Sequence, residues 1–149
     1  MKLDIECIRE ILLYLETNLK YANDKPYTYK HTTISIRKSV DDINKSKGLD
    51  KDLLAYAIEK MCDAHIIEAN ISRGSHNSII ACDIYDISFY GHQLLEKIRP
   101  ETIWDKTKNI AQSIGNHSLK FIEDTAQQCA VAATTTFVDN LTNQTNLPI

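Results

Sequence analysis

Apolar positions change their spacing along the chain, and each change marks an element. From Leu3 to about Tyr21, Ile5, Ile8, Ile11, Leu12, Leu15 and Leu19 recur at steps of three and four, which predicts a helix with one apolar face. Asp4 and Glu6 suit the positive end of its dipole. Asn23, Asp24 and Pro26 then predict a turn. The run "YTYKHTTISI", 27–36, is dense in β-branched and aromatic residues and predicts a short strand. "SVDDINKSKG", 39–48, predicts a short helix with Ser39 as cap and Gly48 as stop. Asp50 caps a longer one, "KDLLAYAIEKMCDAHI". Its inner face carries Leu54, Ala57, Ile58, Met61 and His65. Lys51, Asp52, Tyr56, Glu59, Lys60 and Asp63 fall mostly on the outer face.

Two β-prone runs follow in 66–88, flanking a loop that starts at Arg73 and Gly74. Ile79, Ala81, Ile84 and Ile87 break strict alternation, which predicts a bulge near Asp83. Ser88 caps a further helix from Phe89, with Leu94, Leu95 and Ile98 inward and Pro100 as its end. A capping box would place Glu or Gln where Gly91 stands. Glycine inside a helix costs about 1 kcal/mol against alanine. Gly91 therefore predicts a close backbone approach to a strand or to the first helix.

The order is that of a winged helix: an α+β, mostly α domain over 1–100, with a helix-turn-helix and a β-hairpin wing. Residues 101–149 read as a C-terminal helical extension. One helix covers roughly Thr102 to Ile114 and stops at Gly115; the next covers roughly Ser118 to Asn140. Ile122, Ala126, Cys129, Ala133, Phe137 and Leu141 form a narrow stripe on the latter, which predicts a neighbouring core or a homodimer through this helix. The end, "TNQTNLPI", is expected to be disordered.

Composition narrows the picture. A chain of 149 residues fits one domain with an appendage, and its net charge of −3 does not attract polyanions. The N-terminal segment carries charges throughout, so no membrane span or export signal is expected and the protein reads as cytoplasmic. The widely spaced Cys7, Cys62, Cys82 and Cys129 then read as reduced thiols.

The segment "ISFYGHQLLEKIR", 87–99, resembles the "L-T-x-x-G-H-x-F-L-D-x-I-R" signature of domain-of-unknown-function family 2513. "MKLDIECIREILLYLE" is similar to that family's opening, "LLAYAIEKMCDAHIIEA" to its central helix, and "ETIWDKTK" to its "D-x-V-W-x-K-x-K". The matches run in order over about Met1 to Lys108. The resemblance implies a winged-helix fold and an origin in phages, prophages or their hosts. It implies no established activity and transfers no catalytic residue. The family's Gly at the end of the third helix is His65 here, which predicts a helix end of different shape.

Little chemistry stands out. Cys62 and His65, with Cys82 or His92, offer at most half a zinc site, and a buried thiol beside an interior histidine is the simpler reading. Asp83 and Asp86 flank Tyr85, but odd spacing puts them on opposite faces of a strand unless a bulge intervenes. No phosphate-cradling loop or catalytic motif occurs, so neither an enzyme nor a cofactor is expected.

The choice is between DNA and protein. Over Asp50 to Asp63, Lys51 and Lys60 face Asp50, Asp52, Glu59 and Asp63, and this helix lacks Arg, Asn and Gln. Those are the usual readers of bases. Candidate nucleic-acid contacts lie elsewhere: Lys30, Arg37, Lys38, Lys45 and Lys47 on the first strand and second helix, and Arg73 and His76 on the wing. Candidate partner-surface residues are Tyr56, Lys60, Trp104 and Phe137. Two readings follow: a non-enzymatic module that binds a host or phage protein, or a transcriptional regulator that binds DNA through wing and second helix.

Overall fold

The computed structural model describes residues 1–25 and 28–145. Among the described residues six α-helices dominate, with small sheets beside them, so the class is α+β and mostly helical. Two compact units divide it, Met1–Leu95 and Glu96–Ile149.

The first unit opens with α1 (Ile5–Asn18), where Asp4 Oδ1 accepts from the Glu6 N–H at 2.9 Å. Ile5, Ile8, Ile11, Leu12 and Leu15 are buried, as the periodicity predicts. The chain then makes a hairpin that the sequence reading missed, β1 (Tyr21–Lys25) against β2 (Thr28–His31). Asn23 and Asp24, expected in a turn, belong to β1; Pro26 lies outside the described residues.

The short strand β3 (Ile34–Ser35) leads directly into α2 (Ile36–Lys47). The cap is therefore Ser35, whose Oγ accepts from the Lys38 N–H at 3.2 Å. Ser39, expected there, is buried one turn on and donates to the Ser35 carbonyl. Gly48 ends α2 with φ 70°. Asp50 caps α3 (Lys51–Asp63) through the Leu53 N–H at 3.0 Å, and Leu54, Ala57, Ile58 and Met61 are buried. His65 is exposed rather than inward. It adopts φ 53°, so the helix end keeps the left-handed turn that glycine would make.

β4 (Ile67–Arg73) and β5 (Ile79–Ile87) form an antiparallel hairpin around a short 3-10 turn, and β3 pairs with β5 on its other edge, giving the order β3-β5-β4. Glu68 pairs with Asp86 and Ala69 with Ile84, so the bulge falls at Tyr85, two residues beyond the expected place. The buried series along β5 is Cys82, Ile84 and Ile87.

α4 (Phe89–Ile98) starts where the Gly91 N–H donates to Ser88 Oγ at 3.0 Å. That hydroxyl donates in turn to the carbonyls of His65 and Ile66, at 2.6 and 3.0 Å. A Cβ on Gly91 would overlap the Ile66 carbonyl oxygen and lie 2.7 Å from Ile87 Cγ2. The close approach that Gly91 permits is thus to the backbone entering β4.

The second unit is an αα-hairpin, α5 (Glu101–Ile114) and α6 (Leu119–Thr145). Gly115 ends α5 in the left-handed region, and Ser118 Oγ accepts from the Phe121 N–H at 3.3 Å to start α6. Thr142 to Thr145, expected to be disordered, continue α6; Asn146 to Ile149 lie outside the described residues. No helix among the described residues is long and apolar enough to cross a membrane.

Candidate functional site

The cations on the outer face of α3 are already engaged. Lys51 Nζ lies 2.8 Å from Asp41, and Lys60 Nζ 2.9 Å from Asp63. The Lys60 ammonium holds the Asp63 carboxyl below its usual range. Arg73 at the end of β4 reaches back to Glu59 at 3.5 Å and donates to the Asn77 carbonyl at 3.1 Å. What the face offers instead is a groove of ≈ 350 Å³ lined by Met1, Ile36, Ala55 and Tyr56, with the carboxylates of Asp52 and Glu59 in its wall. Met1 is 77% exposed, so its apolar side chain is open to a partner. Tyr56 is half-buried, with Lys60 Nζ 5.5 Å from its ring centre.

The basic residues do not form one surface of free charge. Lys38 pairs with Asp42 at 2.8 Å, and Lys47 with Glu10 at 3.3 Å. Lys30 on β2, Arg37 and Lys45 on α2, and His76 in the turn between β4 and β5 are exposed, with no ion pair among the described residues. His76 takes φ 57°, a conformation that fixes the tip of the turn.

Of the other partner-surface residues, Phe137 is 62% exposed. Trp104 is a correction. It is wholly buried, with Lys108 Nζ 5.6 Å from its ring, and presents nothing to a partner.

The candidate metal ligands do not converge. Cys62 and Cys82 meet as thiols: Cys62 donates to Cys82, which with burial raises the Cys62 pKa, while accepting that bond lowers that of Cys82. His65 has turned outward and His92 is exposed. Among the described residues no group of three or more His, Cys, Asp or Glu could hold a metal. The bulge at Tyr85 does put Asp83 and Asp86 on the same side of β5, opposite Cys82, Ile84 and Ile87. Asp86 Oδ1, however, accepts from the Ile87 N–H at 2.9 Å.

One cluster escaped the sequence reading. A pocket of ≈ 250 Å³ is lined by Glu16, Tyr21, His31, Tyr85, Asp86 and His92. His31 sits between Tyr21 and Tyr85, with ring centres 4.7 and 5.9 Å away. The β1–β2 hairpin brings Tyr21 and His31 to Glu16 of α1, Tyr85 and Asp86 of β5 and His92 of α4, a grouping that no spacing in the sequence reveals.

The model of the family described as "Hypothetical protein (DUF2513)" matches residues 2–118. The chain belongs to that family. The DUF2513 match thus spans all of α1 to α5 and stops at the start of α6. No curated protein matches the chain. No solved structure matches it either.

Proposed function

We propose that residues 1–100 form a winged-helix domain acting as a non-enzymatic interaction module, a phage- or prophage-encoded regulator that binds a protein partner in the cytoplasm. Its helix-turn-helix is α2 and α3, and its wing is the β4–β5 hairpin. In support, α2 and α3 are joined by only a three-residue turn, Gly48 to Asp50. The observation that carries the partner reading is the outer face of α3. Both of its lysines are neutralised by aspartates, and an apolar groove edged by Asp52 and Glu59 runs along it. Such a face repels phosphates and suits a segment with an apolar anchor and a basic flank.

Capture from lysogenic cells with variant chains tests this. A genuine partner is held by the wild type and by Arg37→Ala/Lys45→Ala, and is lost with Tyr56→Ala/Glu59→Lys. Loss with the α2 pair alone would contradict the reading.

A second reading is favoured by one observation. Lys30, Arg37 and Lys45 are exposed cations with no ion pair among the described residues, and α2 carries more positive than negative charge. On this reading the domain is a transcriptional regulator that meets DNA through α2 and the wing.

A further inference from the structure

Three aromatic rings meet in the first unit, just past the end of α1. Tyr21 and His31 are register partners in the β1–β2 hairpin, with ring centres 4.7 Å apart and planes inclined at 48°. Tyr85 of β5 meets His31 at 5.9 Å and 61°. Rings set at such angles wall a corner and do not stack flat on one another.

The bulge in β5 completes the corner. Neighbours in a regular strand point to opposite faces, so Tyr85 and Asp86 could not share a site there. Here Glu68 pairs with Asp86 and Ala69 with Ile84, which leaves Tyr85 as the extra residue, and Tyr85 and Asp86 line the same pocket of ≈ 250 Å³. Glu16, in the last turn of α1, brings a second carboxylate to it. Every residue of this wall belongs to the first unit, and none is shared with the groove on α3.

The wall selects among ligands. Its formal charge is negative, Glu16 and Asp86 against Lys20, which is exposed and leaves its ammonium to water. That disfavours an anion. Among the described residues no group of three or more His, Cys, Asp or Glu could hold a metal. A flat base finds no slot, because the rings touch one another. The volume also falls below the roughly 300–1,000 Å³ of cofactor and small-molecule sites, which leaves room for one head group. A quaternary ammonium suits the rings, but it has no N–H to give the carboxylates. A guanidinium serves both: it lies against ring faces and donates in a plane to carboxylate oxygens.

We propose that this pocket binds a guanidinium group. The Tyr21, His31 and Tyr85 rings pack against it, and the carboxylates of Glu16 and Asp86 accept from its N–H groups. Tyr21 is 60% exposed, so ring surface is open to the ligand. Two sources carry that group: an arginine side chain of another protein, and a free alkylguanidine.

Amide NMR spectra of the full chain, titrated with ethylguanidine, capped arginine and capped citrulline, test the assignment. The first two should shift signals of the pocket residues with a Kd of about 1 mM, the affinity that a group of few atoms reaches. The uncharged citrulline should not. Tighter binding of capped arginine than of ethylguanidine assigns the site to a protein arginine; equal or weaker binding assigns it to a free alkylguanidine. Asp86→Asn keeps an oxygen for the Ile87 N–H, so its melting temperature should hold while affinity falls about tenfold. Tyr21→Leu removes an exposed ring and should weaken binding several-fold. No shift with either guanidinium, equal binding of citrulline, or full affinity in either variant would overturn the proposal. So would loss of binding in Lys20→Ala, whose missing ammonium should only help a cation.

Discussion

Gly91 ties the start of one helix to the start of a strand. Its N–H donates to Ser88 Oγ, while its missing Cβ leaves room for the Ile66 carbonyl, which also accepts from the Ser88 N–H at 3.1 Å. Gly91→Ala forces backbone against backbone, which no rotamer change can relieve. It should cost about 2–4 kcal/mol, more than the helix-propensity gain can offset. Urea denaturation would read this as a lower midpoint at unchanged slope. That feature was legible in the sequence because a glycine at the third helical position conflicts with capping chemistry and demands a reason. The α2 cap was less legible. Ser35 and Ser39 are both serines before helix-forming residues, and only the pairing of Ile34 and Ser35 with Ile84 and Asp83 decides between them.

Elements join through a few polar contacts as well as the core. Tyr14 of α1 donates to Asp42 of α2 at 2.6 Å, and Lys38 reaches the same carboxylate at 2.8 Å. Hydrogen bonds from Lys38 and then Tyr14 hold Asp42 below the usual carboxylate range. Burial and the bond to Asp42 push the Tyr14 phenol above its usual value. A depressed carboxylate stabilises the fold above its unfolded pKa, and the benefit fades as pH falls through the lower folded value. Tyr14→Phe should therefore lower the melting temperature by a few degrees at neutral pH. Its difference from wild type should shrink below about pH 4 and again above about pH 10, where the unfolded phenol ionises. Melting curves across pH would show it. At this scale the sequence was informative for α1, α3 and α4, whose apolar residues repeat over several turns. It was silent on β1, because "YANDKP" carries turn formers and the pairing of Tyr21 with His31 is set by tertiary contact. On α6 the expected stripe is buried at Ile122 and Ala126 and exposed at Ala133, Phe137 and Leu141. Periodicity shows which residues share a face, but not how far along that face the cover reaches.

Across the whole molecule, the sign of charge on the outer face of α3 is what separates the two proposed readings. That sign was legible for α3, since Asp52, Glu59 and Asp63 lie on its outer side as the spacing predicts. What it could not show is that Asp41, Asp63, Glu59 and Glu10 would engage Lys51, Lys60, Arg73 and Lys47. Those pairs join distant positions as well as neighbours, and exposed pairs of this kind shape the surface potential more than they stabilise the fold. The direct test is a salt-titrated mobility-shift assay of the full chain on random-sequence duplex DNA. A protein-binding module leaves the duplex unshifted even at low salt. Binding that is tight at low salt and weakens steeply as salt rises would contradict it, and would place the cations of α2 and the β4–β5 hairpin on phosphates instead.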